Sequence, residues 1–210
     1  MNYKNISEAN YKSFCLKEGS DYIASEFALK TILKIIKLFK VNKVLEIGCG
    51  IGSISDTVLK VFEVEYYGTE NNFFCQEQLK LNVQFYSKLK LFSDVNLIQN
   101  QKFDLIIVDG YDDRISEISR FCNSNTIIYI EGARDEQTKL ISKLFPKNKY
   151  VNIISLKKNK PYVHGNINPN NYVGGGQLIF TNPNFKSKIF WFNQKIRTFF
   201  IIKLRKIKNL

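Results

Sequence analysis

The sequence predicts an α/β protein: a three-layer, doubly wound, seven-stranded sheet, mostly parallel, with its last strand antiparallel. Three observations predict it. Short apolar runs alternate with segments of helical periodicity, the pattern of βαβ units and a parallel sheet. The runs repeatedly end in an acid, as the carboxyl ends of open α/β strands do when they carry a site. The last two runs are joined by a polar loop with no helical segment, which suits an antiparallel pair closing one edge.

The elements follow in order. Residues 26 to 40 set apolar side chains at 28, 29, 32, 33, 35, 36, 38 and 39 with lysines opposite, a wide helical face. Strand one is Lys43 to Ile47, followed by a helix over about Ile54 to Phe62. Strand two is Glu65 to Thr69, followed by a helix from about Phe73 to Tyr86. A short third strand lies near Lys88 to Phe92. Strand four is Phe103 to Val108, with a helix near Ile115 to Phe121. Strand five is Thr126 to Ile130, and the next helix, Asp135 to Leu144, is stopped by Pro146. Strand six is Tyr150 to Leu156, a long polar loop runs over residues 157 to 176, and strand seven is Gln177 to Thr181. Residues 1 to 25 form an N-terminal segment without an assigned element. The domain therefore spans 1 to 183, and a basic, aromatic, amphipathic tail spans 184 to 210.

Composition bounds the rest. At 210 residues the chain is long enough for one sizeable core. Cysteines 15, 49, 75 and 122 form no C-x-x-C pair and read as reduced thiols. The first residues lack an apolar signal region and no run of 18 apolar residues occurs, so a cytoplasmic location is expected. The net charge of +12 is weak support for nucleic acid. Its excess is nearly all lysine, with five arginines, and residues 186 to 210 alone carry eight Lys/Arg and no acid.

The most informative stretch is V-L-E-I-G-C-G-I-G at Val44 to Gly52. A turn rich in glycine lets backbone approach a ligand where a Cβ would clash. The helix behind it presents free N–H groups. A dinucleotide turn wants G-x-G-x-x-G, whereas here Ser53 stands at the third glycine's place. Acids stand at the ends of five consecutive strands: Glu46, Glu70, Asp94, Asp109 and Glu131. Glu70 follows Gly50 by 20 residues, the separation at which an acid reaches ribose hydroxyls in a Rossmann-type site.

The E-x-G-x-G-x-G pattern of Glu46 to Gly52 resembles motif I of the S-adenosylmethionine-dependent methyltransferases with a Rossmann-like fold. Y-G-T-E, ending at Glu70, resembles their ribose-binding strand end. Ser93-Asp94 resembles an adenine-contacting pair, and F-D-L-I-I-V-D-G-Y, with Asp109, resembles motif IV. The resemblance covers roughly residues 20 to 182. It implies S-adenosylmethionine held by Glu46, Gly48, Cys49, Gly50, Gly52, Glu70, Asn71, Ser93, Asp94 and Asp109. The D-G-Y turn lacks the prolines of the D/N-P-P-Y/F turn of amine and amide methyltransferases. Cys122 follows Phe121 rather than the proline of carbon methyltransferases. D-G is more like the small-molecule O-methyltransferases. Some of those bind Mg²⁺ through an Asp-Asn pair after strand five, where this chain has Glu131-Gly132, and no metal is expected.

The implied reaction is O-methylation of a small, sugar-linked or lipid-linked acceptor. Asp109, Glu131 and His164 are the candidates to take the acceptor's proton. The alternatives are an RNA methyltransferase and a non-catalytic S-adenosylmethionine-binding module. The tail sets apolar residues at 189, 192, 196, 200, 204 and 207 on one helical face. It suits an anionic membrane surface, packing on the domain or a homodimer contact, and less well RNA. Since strand seven closes the sheet, truncation after Pro183 is expected to leave a folded, cofactor-binding protein.

Overall fold

The computed structural model describes residues 3–110, 115–159 and 171–208. One seven-stranded sheet runs through the molecule in the order β3-β2-β1-β4-β5-β7-β6. The strands are β1 (Lys43–Ile47), β2 (Glu65–Thr69), β3 (Leu89–Phe92), β4 (Phe103–Val108), β5 (Cys122–Glu131), β6 (Lys149–Ile153) and β7 (Gly176–Phe180). The first five are mutually parallel, and β7 is antiparallel to both β5 and β6. The reversed strand is thus inserted one place in from the edge, and β6 forms the edge itself.

The helices are α1 (Tyr3–Cys15), α2 (Glu26–Phe39), α3 (Ser53–Leu59), α4 (Phe73–Asn82), α5 (Asp135–Leu144) and α6 (Phe185–Lys208). Both faces of the sheet are covered because side chains alternate along each strand. On β4, Leu105 and Ile107 join the core beneath α2 and α3, while Ile106 and Val108 join a second core with Ile141 of α5. Five segments coincide with the expected bounds at both ends: β1, β2, β4, α5 and the helical turns of Ile115–Phe121, which are 3₁₀ rather than α.

The differences have physical causes. The helix expected to reach Tyr86 stops at Asn82, where Val83 turns extended and the Gln84 N–H donates to the buried Asp56 carboxylate at 2.9 Å. β5 begins four residues early, at Cys122 opposite Phe103, and absorbs the polar Asn123-Ser124-Asn125 as an irregularity in the ladder. The Thr126 hydroxyl holds it, accepting from the Asn123 N–H at 2.7 Å and donating to the Phe103 carbonyl at 2.6 Å. α1 went unassigned because its sequence is mostly polar. It is fixed by burial of Tyr11 and Phe14 and by Asn10, which donates to Thr57 Oγ1 at 2.6 Å.

The tail is one helix of 24 residues. Three donors spaced seven residues apart on α6 reach along β6. Trp191 Nε1 donates to the Tyr150 carbonyl at 2.8 Å, Thr198 Oγ1 to that of Asn152 at 2.6 Å and Arg205 Nε to that of Ser155 at 3.0 Å. α6 therefore covers the open edge of the sheet and runs from the amino to the carboxyl end of β6. The reversed β7 does end at the face away from the strand-end acids, as expected, but the helix runs back to the carboxyl end of β6. Phe190 adds an aromatic cluster with Phe39 and Phe180.

Truncation after Pro183 removes these three hydrogen bonds, worth about 1 kcal/mol each. The expected result is a melting midpoint lower by about 6–12 °C at roughly 2–4 °C per kcal/mol. The bared β6 carbonyls are expected to cause concentration-dependent association. Calorimetry and light scattering on the two lengths of chain check both.

Candidate functional site

The cleft lies where the sheet changes direction, over the carboxyl ends of β1, β2, β4 and β5, the expected place for a ligand in an open α/β sheet. It has a volume of about 470 Å³, within the range of small-molecule sites. Its floor is the glycine turn after β1. Parallel register sets Ile47 beside Val108, and the Asp109 N–H donates to the Ile47 carbonyl at 2.9 Å. The two chains therefore leave the sheet side by side. Gly48 adopts φ 83°, and a Cβ on it would lie 2.8 Å from the Gly110 nitrogen. Gly50 adopts φ 53°, and a Cβ there would overlap the Tyr22 carbonyl oxygen. The wall that Gly50 must clear is thus the N-terminal segment of the same chain.

Glu70 comes from the end of β2. Its Oε2 accepts from the Gly50 N–H at 2.7 Å and its Oε1 from the Asn72 N–H at 2.9 Å. An ionised carboxylate has about four acceptor positions, so both oxygens retain capacity for a pair of hydroxyls in the cleft. Asn71 lies beside it, and Asn72 caps α4 by accepting from the Cys75 N–H at 3.3 Å.

Asp109 and Glu131 face the cleft from β4 and β5. Burial raises the Asp109 carboxyl well above its ordinary value, and the neighbouring Glu131 charge adds to the shift. Burial likewise raises Glu131, against hydrogen bonds from the backbone and hydroxyl of Ser25. The Ser25 hydroxyl donates to Glu131 Oε1 at 3.1 Å and accepts from the Ala28 N–H at 3.2 Å, so one side chain ties β5 to the start of α2. Arg134 lies 3.7 Å from Asp109 Oδ1 and donates to the carbonyls of Gly110 at 2.7 Å and Asp109 at 3.0 Å. It pins the loop after β4 and partly offsets the paired acids.

Of the sequence-predicted residues, Gly48, Gly50, Glu70, Asn71, Asp109 and Glu131 line the cleft. Glu46 and Cys49 are buried beneath it, with Glu46 Oε2 accepting from the Tyr66 hydroxyl at 2.8 Å. Gly52 gives room for α4, since a Cβ would press on Leu79 and Val83. Ser93 and Asp94 are exposed and do not line the cleft; Asp94 caps a 3₁₀ turn by accepting from the Asn96 N–H at 2.7 Å. His164 lies outside the described residues. Sequence reading missed Asp21, Tyr22, Ile23, Asn72, Cys75, Gly110 and Arg134 as lining residues. Only Gly110 had a local signal, as the small residue after a strand-end acid. Among the described residues no group of three His, Cys, Asp or Glu side chains is arranged to hold a metal ion.

The chain matches no protein-family model and no curated protein. Its three-dimensional likenesses are extensive. An O-methyltransferase from Streptomyces achromogenes, TomG, solved with S-adenosylmethionine and involved in tomaymycin synthesis, aligns with TM-score 0.59 over 87% of this chain and 91% of its own, at 12% identity. An O-methyltransferase from Bacillus cereus, in complex with S-adenosylhomocysteine, aligns with TM-score 0.56 over 85% and 89% at 10% identity. The fold is that of the Rossmann-like S-adenosylmethionine-dependent methyltransferases. A precorrin 8W decarboxylase from Methanobacterium thermoautotrophicum shares it, with TM-score 0.54 over 73% of this chain and 90% of that one at 14% identity. The methyltransferase fold therefore places the cleft, while the reaction must be argued from the residues in it.

Two outcomes follow from this geometry. Gly50→Ala forces a Cβ into the Tyr22 carbonyl at a strained φ, and should lower stability by about 1–3 kcal/mol in urea unfolding. The second concerns Glu46, whose carboxyl is pushed up to about 8 by burial against a smaller opposing hydrogen bond from Tyr66. Between the unfolded carboxylate range and about pH 8 the folded chain keeps a proton that the unfolded chain releases. Stability should then fall as pH rises through that window, by up to about 1.4 kcal/mol per pH unit. Asp109 and Glu131 contribute slopes of the same sign. Glu46→Gln should remove its own share, and identical stability slopes for variant and wild type from pH 5 to 8 would refute the assignment.

Proposed function

We propose that this chain is an S-adenosylmethionine-dependent methyltransferase acting on an oxygen of a small, sugar-linked or lipid-linked acceptor. The observation that carries the reading is the pairing, across one cleft, of a glycine turn too close-packed for side chains with two half-buried strand-end carboxylates. The residues fit the cofactor. Glu70 offers acceptor positions to a ribose diol, and Gly48 and Gly50 leave backbone open where an amino-carboxylate would approach. S-adenosylmethionine, when bound, supplies an electrophilic methyl carbon on a positively charged sulfur.

The chain's own part is positioning and proton removal. Asp109 sits against the turn and keeps its side chain 15% exposed, so it can reach an acceptor in the cleft. Burial and the Glu131 charge make its carboxylate a stronger base than a solvated one. As an acceptor hydroxyl attacks, Asp109, or Glu131 beside it, takes the proton. Arg134 holds the Asp109-Gly110 backbone in place for that step. No metal is assigned a role.

Isothermal titration should show binding of S-adenosylmethionine and S-adenosylhomocysteine by wild type, and Glu70→Ala should weaken it by about tenfold or more. With a turned-over acceptor, Asp109→Asn should lower kcat by about 10²-fold or more and change cofactor affinity little. Turnover should rise with pH as Asp109, whose carboxyl is raised by burial and the Glu131 charge, loses its proton, and EDTA should leave it unchanged. No cofactor binding would refute the reading. Binding without turnover on any acceptor would leave a non-catalytic module, and loss of activity in EDTA with rescue by Mg²⁺ would add a metal.

A further inference from the structure

The face of α6 turned away from the domain is apolar. At about 100° per residue, Thr198 and Arg205, which bond the carbonyls of Asn152 in β6 and Ser155 just beyond it, define the docked side of the helix. Ile189, Phe192, Ile196, Phe200 and Ile207 lie about 130–210° from it. They are respectively 47%, 58%, 42%, 59% and 66% exposed. A helix that buries one stripe normally shows solvent a charged back. Here the back is a stripe of Ile and Phe running the length of the helix, about 36 Å at 1.5 Å per residue. Apolar contact with the domain does not explain it, because the docked stripe is the opposite one.

The charges are arranged around that stripe. Lys188, Lys195 and Lys206 fall about 70–90° to one side of the docked line, and Lys186, Arg197 and Lys208 about 70–110° to the other. Lys203 stands within the stripe, about 150° from the docked line, where its long stem carries the ammonium out to the headgroup level. The other cations border the apolar stripe on both flanks, and α6 contains no acid. Exposed apolar area between two rows of lysine is the pattern of a helix lying in the interface of an anionic membrane. No helix among the described residues is long and apolar enough to cross a membrane, so contact would be along the side of α6. A second copy of the chain fits less well. Two such stripes face to face would bring their cation rows together, with no acid on either helix to pair with them.

We propose that α6 docks this protein onto anionic lipid bilayers through the stripe of Ile189, Phe192, Ile196, Phe200 and Ile207, with its flanking lysines on the headgroups. The edge strand β6 is the mount: three hydrogen bonds fix which side of the helix faces outward. The site is independent of the catalytic reading, because it uses no residue of the cleft.

The test is sedimentation of the full chain with vesicles of neutral phosphatidylcholine, alone or with about 30% phosphatidylglycerol. Binding should be at least about tenfold stronger with the anionic lipid and should weaken as salt rises from about 50 to 500 mM. Phe192→Gln with Phe200→Gln leaves the charge unchanged and should reduce binding at least about tenfold. Lys188→Gln with Lys206→Gln should reduce it several-fold and flatten the salt dependence. All four side chains are exposed, so melting temperatures should match wild type; should a variant not fold, the lipid and salt dependence of wild type still decides. Equal binding to neutral and anionic vesicles, or no loss in the phenylalanine pair, would overturn the proposal. So would a wild-type dimer in light scattering that the phenylalanine pair makes monomeric, or retardation of RNA by a chain that ignores vesicles.

Discussion

No side chain fits between the turn after β1 and the two backbone segments pressed against it. Gly48 meets Gly110 at the end of β4, and Gly50 meets the Tyr22 carbonyl. The Gly48 and Cys49 N–H groups both donate to the Thr69 carbonyl at 3.0 Å, tying in the end of β2. Three strand ends and the N-terminal segment are thus locked around one turn by backbone contact. Glu70, Asp109 and the Tyr22 wall hold fixed positions as a result. A ligand entering the cleft would meet polar groups already aimed, which spares it the ordering cost of assembling them.

That close packing concentrates acid where water is scarce. Glu46, Asp109 and Glu131 are all raised by burial. Each is tolerated because something partial compensates it: the Tyr66 hydroxyl for Glu46, Arg134 for Asp109, and the Ser25 backbone and hydroxyl for Glu131. Buried charge of this kind costs stability, and groups whose titration is displaced toward neutrality cluster at functional sites. The same desolvation that strains the fold makes Asp109 and Glu131 stronger bases than solvated carboxylates.

The opposite end of the sheet solves a different problem. β6 is an edge, and an open edge invites pairing with other chains. α6 occupies it through donors one heptad apart, Trp191, Thr198 and Arg205, beside an apolar contact of Phe190 and Ile201. Those donors, with Phe190 and Ile201, set the docked side of the helix, and its other phenylalanines and isoleucines are left for the outside.

The sequence by itself determined the layered α/β plan, the bounds of β1, β2, β4 and α5, and the glycine turn with Glu70, Asp109 and Glu131. These are encoded locally, in alternating runs, in glycines that must turn and in acids that end strands. Tertiary structure alone decided what those residues meet. It showed that Gly50 gives way to Tyr22, that Glu46 is sealed beneath the cleft, and that Asp94 caps a turn. It also brought Arg134 to Asp109 and Ser25 to Glu131, pairs separated by 25 and 106 residues. The tail shows the division most plainly. Its amphipathicity was legible, but periodicity fixes only which residues share a face. The carbonyls of Tyr150, Asn152 and Ser155 drew the donor-bearing stripe to the domain and turned the opposite apolar one outward, because unpaired backbone groups must find donors wherever the fold leaves them.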